Sequence, residues 1–427
     1  MHARQAFAQD THASSTLPGC DSRPHRPPAP PVPPPASRSP ETSPGQERPR
    51  AGSEYDGAMT SRPPSTARRR VPYSGLWLDG FSLTAVAGGA LLAGGQGWHK
   101  DGGGSTPRTA TGAALWDTSR EEWLEVSPLP EPRQGHAAVA LPDGRVLLIG
   151  GRDNPRPELD STLFWEPDTR RFVPGPTLLA ARSNPVAHVL PDGTVVVLGS
   201  DHDHDLERGT RAELLRPGAT AWEPAGQTVR IFHTGPVCVS GERIVIAGGR
   251  DNGFGFAVIE GQHLAPPLNV STEVFEPTGR TWRTAPHPLT EERDDAVGVT
   301  LSDGRILVVG GWNHGTVLTS AELFDPRTEQ WTATGALGLA RSSFTLTALP
   351  AGRAAVSGGL RSDPYGEATD VEVWSPDTGS WSPGMPLAVG RAGHLVVPLG
   401  DGAYLVAGTT RVAPDGSLET TSEVWRP

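Results

Sequence analysis

The string best suited to holding a metal ion is Asp201-His-Asp-His-Asp205. In an extended loop His202 and His204 project to the same side, as two imidazole ligands of one ion must. A metal centre also needs a third and a fourth ligand, with hydrogen bonds that orient them. Taken alone the string reads as a solvated polar loop, and neither a metal nor another cofactor is expected. His233 and the pair Asp294–Asp295 are of the types that move protons in acid–base chemistry. Trp98 with His99, and Trp312 with His314, pair an aromatic with an imidazole, a combination suited to contacts with a partner or a sugar. His136, His394 and Arg230 complete the candidate binding residues. Cys20 and Cys238 are the only cysteines, so a disulfide framework is excluded.

The elements that must position these residues come from a repeat. An arginine recurs as Arg133, Arg182, Arg230, Arg293, Arg341 and Arg391. After it come an apolar run, a turn such as Pro-Asp-Gly, and a second apolar run closing on glycine. That closing run appears seven times, as LLAGG, LLIGG, VVLGS, VIAGG, LVVGG, AVSGG and LVAGT. Two bulky residues seven apart then flank turn formers, as in Trp116/Trp123, Phe275/Trp282, Phe324/Trp331 and Trp374/Trp381. Each copy therefore predicts four short antiparallel strands, A to D, with the aromatics packed across the C–D hairpin. Strand B is apolar at nearly every position rather than at alternate ones, so both of its faces must be covered. Seven small sheets set radially meet that need and leave short, protected edges.

A period near 50 residues, the apolar run ending in Gly-Gly, a Glu two before the strand C aromatic and the later Trp together resemble Kelch repeats. That Glu stands at Glu213, Glu273, Glu322, Glu372 and Glu423, whereas the first two copies have Ala114 and Leu163. The resemblance covers about residues 66–427 and implies an all-β, seven-bladed β-propeller. Blades are expected at about 75–132, 133–181, 182–229, 230–292, 293–340, 341–390 and 391–427. The last copy stops after strand C, and Arg68-Arg-Arg-Val-Pro72 resembles the strand D segment Arg170-Arg-Phe-Val-Pro174. Residues 66–72 are therefore expected to close blade seven, because an open strand edge invites aggregation.

Strand alternation brings the D–A and B–C loops to one face, around the mouth of the central channel, where a rigid scaffold most often carries its binding residues. The repeated arginines, with His136 and His394, follow the repeat and read as scaffold. His233, Asp294 and Asp295 read as departures from it, as does the insertion at 252–271.

Kelch propellers as a class imply a non-enzymatic module that recognises a protein, peptide or glycan through this mouth. The alternative is a propeller enzyme acting on carbohydrate or another small substrate. Galactose oxidase has similar repeats, and its copper site uses two Tyr and two His, one Tyr being crosslinked to a Cys. Only Tyr73, Tyr365 and Tyr404 fall in the propeller and none adjoins a His, so that chemistry is not expected.

Charge narrows the partner further. Residues 1–72 hold ten Arg and six acids, while 73–427 hold 27 basic and 42 acidic residues. A folded body that acidic repels phosphate backbones, which argues against nucleic acid. Residues 1–65, with fifteen prolines by residue 72, are expected to be disordered. No apolar run approaches the length of a membrane helix, and residues 1–16 lack a signal-peptide core. A cytoplasmic monomer is the resulting expectation.

Overall fold

The blades are built outward from strand B. The structure, a computed structural model, describes residues 69–70, 80–101, 104–153, 158–199, 210–229, 235–250, 257–259, 262–264, 268–362, 364–412 and 418–427. The Pro-rich segment 1–65, the segment 201–205 with His202 and His204, Arg230, His233 and much of the 252–271 insertion lie outside these residues. All four positions of Val146–Ile149, Val195–Leu198 and Ile306–Val309 are buried. Their side chains serve two different cores. Val195 and Val197 pack with Leu147 and Ile149 of the preceding blade, while Val196 and Leu198 pack with Ile244 and Ile246 of the next. The unbroken apolar run thus has a plain cause: an inner strand of a radial sheet has a neighbouring sheet on each side.

There are seven four-stranded antiparallel sheets, with almost no helix among the described residues. Blade two shows the plan: Ala137–Ala140 (A), Val146–Ile149 (B), Thr162–Glu166 (C) and Arg171–Pro174 (D) lie side by side in chain order. The seven A strands touch one another in sequence, and Ser82–Val86 of the first blade meets Leu395–Gly400 of the last, closing the ring. The fold is a seven-bladed β-propeller. Its hydrophobic interior is divided among seven inter-blade clusters.

In the seventh sheet, Arg69–Arg70 occupies the outermost position, antiparallel to Leu418–Trp425, with Arg69 opposite Ser422 and Arg70 opposite Thr421. The Trp123 indole of blade one also donates to Ser422 Oγ at 2.9 Å, tying the first blade to the last.

The aromatics seven apart face each other across the C–D hairpin. Trp116 lies opposite Trp123 with ring centroids 5.5 Å apart at 71°, and Phe324 opposite Trp331 at 5.0 Å. Several of these indoles also donate across the seam to the preceding blade, as Trp282 does to Ala225 O and Trp381 to Gly335 O. Large rings therefore both fill the blade surface and register one blade against the next.

Candidate functional site

The mouth loops are fixed by the repeated arginines, and the five among the described residues are interior. Arg133, Arg182, Arg293, Arg341 and Arg391 are fully buried. Each Nη1 donates to the carbonyl of the first glycine after strand B and to a carbonyl in strand C or just before it. For Arg341 these are Gly358 O at 3.0 Å and Asp370 O at 2.9 Å; for Arg293, Gly310 O at 2.8 Å and Ser320 O at 3.2 Å. The strand C glutamate supplies the countercharge, at 2.9 Å for Arg182–Glu213 and Arg293–Glu322 and 2.8 Å for Arg341–Glu372. Its other oxygen accepts a backbone N–H of the D–A loop: Leu179 at 2.7 Å, Thr290 at 2.8 Å, Gly338 at 2.6 Å and Ala388 at 2.7 Å. One buried ion pair therefore holds strands B and C and the entering loop together.

Blade two lacks the glutamate, having Leu163, and Glu131 substitutes from the D–A loop at 3.2 Å from Arg133. Burial, partly offset by Glu131, pulls the Arg133 guanidinium down to about 10. The paired glycines complete the lock. The second glycine's N–H donates to the carbonyl of the next blade's arginine, as Gly151 does to Arg182 O at 2.8 Å and Gly359 to Arg391 O at 2.7 Å. Gly150 has φ +61°, and a Cβ there would stand 2.7 Å from Arg182 O, so only glycine fits.

His136 and His394 sit inside blade seams, with 8% and 2% of their surface exposed. The Nε2 of His136 bonds Ser82 Oγ at 2.8 Å and that of His394 bonds Ser357 Oγ at 2.9 Å. Burial, reinforced by Arg133 and Arg391, pushes both imidazoles down to about 3. His188, on the inner strand of blade three, is pushed down to about 4 by burial. His233 stands at the same offset from Arg230 as His136 from Arg133. Cys238 is buried, and its thiol is raised to about 12 by burial.

The structure brings Asp294, Asp295, Trp312 and Arg250 together. Asp294 is buried and forms an ion pair with Arg250 from the preceding blade, while its backbone exchanges hydrogen bonds with Trp312 at 2.9 and 2.7 Å. The same backbone bridge joins Gln134 to Arg152 and Ser342 to Leu360, so Asp294 departs from the repeat in side chain only. Asp295 is exposed at φ +50°, the position filled by Gly135, Asn184, Ser343 and Gly393 elsewhere. Partial desolvation and then Asp294 hold its carboxyl above the usual range, with Arg250 opposing. The exposed His314 bonds Glu292 at 3.0 Å. Trp98 and His99 lie on the strand Gln96–Asp101.

Sequence reasoning missed the projecting hairpins. Four B–C connections form two-stranded hairpins: Gln96–Asp101 with Gly104–Thr109, Ala257–Ile259 with Gln262–Leu264, Trp312–Asn313 with Thr316–Val317, and Leu360–Ser362 with Tyr365–Glu367. Tyr365, at the start of its hairpin's second strand, is 82% exposed. Among the described residues no group of three or more His, Cys, Asp or Glu could hold a metal. An apolar groove of about 630 Å³ lies on the opposite face, between blades two and three, with Phe164, Pro176 and Pro217 in its wall.

Comparison with known proteins adds to this geometry. The Kelch motif family model matches residues 296–335, which run through blade five from the start of strand A to the end of strand D. Kelch-like protein 23 of Homo sapiens is 24% identical over 286 residues, covering 64% of this chain and 46% of that protein. Kelch-like protein 36 of Rattus norvegicus is 23% identical over 252 residues, covering 58% and 38%. Kelch-like protein 33 of Homo sapiens is 33% identical over 116 residues, covering 27% and 20%. The chain thus spans less than half the length of each of these relatives.

Proposed function

We propose that this Kelch-repeat β-propeller is a non-enzymatic binding module that engages a protein or peptide partner through the loops at its mouth. The observation that carries this reading is the set of hairpins raised on one face of a rigid ring, with Tyr365 presented to solvent at 82% exposure. Aromatic side chains on a preorganised scaffold are the usual anchors of protein interfaces. The repeat's own ionisable groups support it too. The buried arginines are spent on carbonyls and glutamates, and His136 and His394 on serines, which leaves them unavailable for acid–base work on a substrate. The partners of the Kelch-like relatives, like their further length, are a matter of analogy for this chain.

Affinity capture with the full chain tests the reading. Tyr365→Ala and Trp312→Ala are expected to lose a captured protein that Arg145→Ala, on the opposite face, retains. Retention by both mouth variants would overturn it. A glycan array probes the other ligand class: binding there that Trp312→Ala removes would replace protein with glycan as the ligand.

A further inference from the structure

Charge and apolar exposure are unevenly distributed around the mouth. Leu179, Val229, Leu339, Tyr365 and Met385 are the large apolar side chains exposed among the described residues. Leu339 and Tyr365, at 40% and 82% exposure, belong to loops bordering blade six: the D–A loop entering it and its B–C hairpin. Trp312 lies on the neighbouring hairpin of blade five. A soluble surface that groups apolar side chains in one sector marks an interaction site.

The same two blades carry a carboxylate excess. Their mouth loops contain Glu291, Glu292, Asp294, Asp295, Glu367 and Asp370. The arginines there offer little to compensate. Arg293 and Arg341 are fully buried and neutralised from below by Glu322 and Glu372. Arg361 is held by Asp370 at 3.3 Å, and Arg250, reaching over from blade four, is held by Asp294. Asp295 accepts no hydrogen bond from a described residue, and its left-handed backbone carries the carboxylate to the exposed rim of the mouth.

Resting on the mouth reading, we infer that the sector of blades five and six docks a basic peptide segment. In this arrangement Tyr365 and Leu339 receive its apolar side chains, and Asp295 and Glu292, the latter beside its His314 partner, face its Lys or Arg residues. Charge complementarity selects this occupant over an acidic or uncharged one, because a like-charged segment meets repulsion before it reaches the apolar contacts. The apolar patch supplies area, and the carboxylates supply steering and register.

Selection of a phage-displayed random peptide library on the full chain tests this. The expected result is enrichment of peptides that carry Lys or Arg beside Leu or an aromatic residue. Their affinity should fall about tenfold with Tyr365→Ala, and by a similar factor with Glu292→Gln combined with Asp295→Asn. Asn tolerates the left-handed backbone at 295, so that pair removes charge and leaves the loop intact. Binding should also weaken as salt rises. Enriched peptides that are acidic or uncharged, yet lose binding with Tyr365→Ala, would overturn the basic partner and leave the mouth reading standing. Enriched peptides indifferent to all three substitutions, or no enrichment over a control protein, would overturn both.

Discussion

Removing the strand C glutamate from blade six should cost far more stability than removing it from blade five. In blade six Glu372 is the carboxylate bonded to Arg341, at 2.8 Å, and Leu339 occupies the place from which an acid could otherwise reach in. Asp370 is already engaged by Arg361. Glu372→Leu therefore leaves a fully buried guanidinium with carbonyls alone and strips Gly338 N–H of its acceptor. Breaking one side of a buried pair in this way costs about 3–5 kcal/mol. In blade five Glu291 also reaches Arg293, at 3.4 Å, and Ser320 lies between them. Glu322→Leu reproduces the arrangement native to blade two, where Leu163, Glu131 and Ser161 surround Arg133. The remaining loss is the Thr290 contact, about 1–2 kcal/mol. Thermal unfolding followed by circular dichroism reads the difference: at about 2 °C per kcal/mol for a chain of this size, Glu372→Leu should melt about 6–10 °C below the parent and Glu322→Leu about 2–4 °C below. Equal losses, or a larger loss in blade five, would refute the view that the loop glutamate is an interchangeable countercharge.

Acidification should destabilise the propeller through its seam histidines. The folded values of about 3 for His136 and His394 lie below the unfolded value of about 6.5, so the unfolded chain binds more protons and stability falls as pH drops below about 6.5. Each imidazole should cost about 2 kcal/mol between pH 7 and pH 5. Melting temperature against pH checks this, and His136→Gln with His394→Gln should flatten the slope; an unchanged slope would count against it. Removal of residues 1–72 takes away the strand paired with Ser422 and Thr421, so it should lower the melting temperature, whereas removal of 1–65 should not. Equal melting temperatures for the two truncations would sink the closing role proposed for residues 66–72.

Much of the architecture was legible because the repeat is a statement about burial. An apolar run without alternation, as in Val195–Leu198, needs two covering sheets whatever its neighbours are, and seven such runs imply seven blades. The bulky residues seven apart were equally plain, since a short turn places them opposite each other, as Trp374 and Trp381 are. The mouth was only half legible. Asp294 and Asp295 were visible as candidates, but the Arg250–Asp294 pair joins residues 44 positions apart in different blades, and no local pattern announces it. The exchange of Glu131 for Leu163 was hidden for the same reason: the guanidinium meets a carboxylate in either place, and the two lie far apart along the chain.

The amino-acid sequence by itself determined that this protein is a ring of four-stranded blades, because hydrophobic period and turn chemistry act within a few residues of each position. It also placed the candidate binding residues on one face, since strand alternation requires it. The repeat already marked His136 and His394 as scaffold, and only the tertiary structure decided which of the remaining candidates are paired and which meet solvent. His136 and His394 are in the seams, Asp294 is paired across them, and Asp295, His314 and Tyr365 are exposed at the mouth. Exposure and charge compensation at the mouth depend on what the neighbouring blade contributes, and that distance is set by closure of the ring.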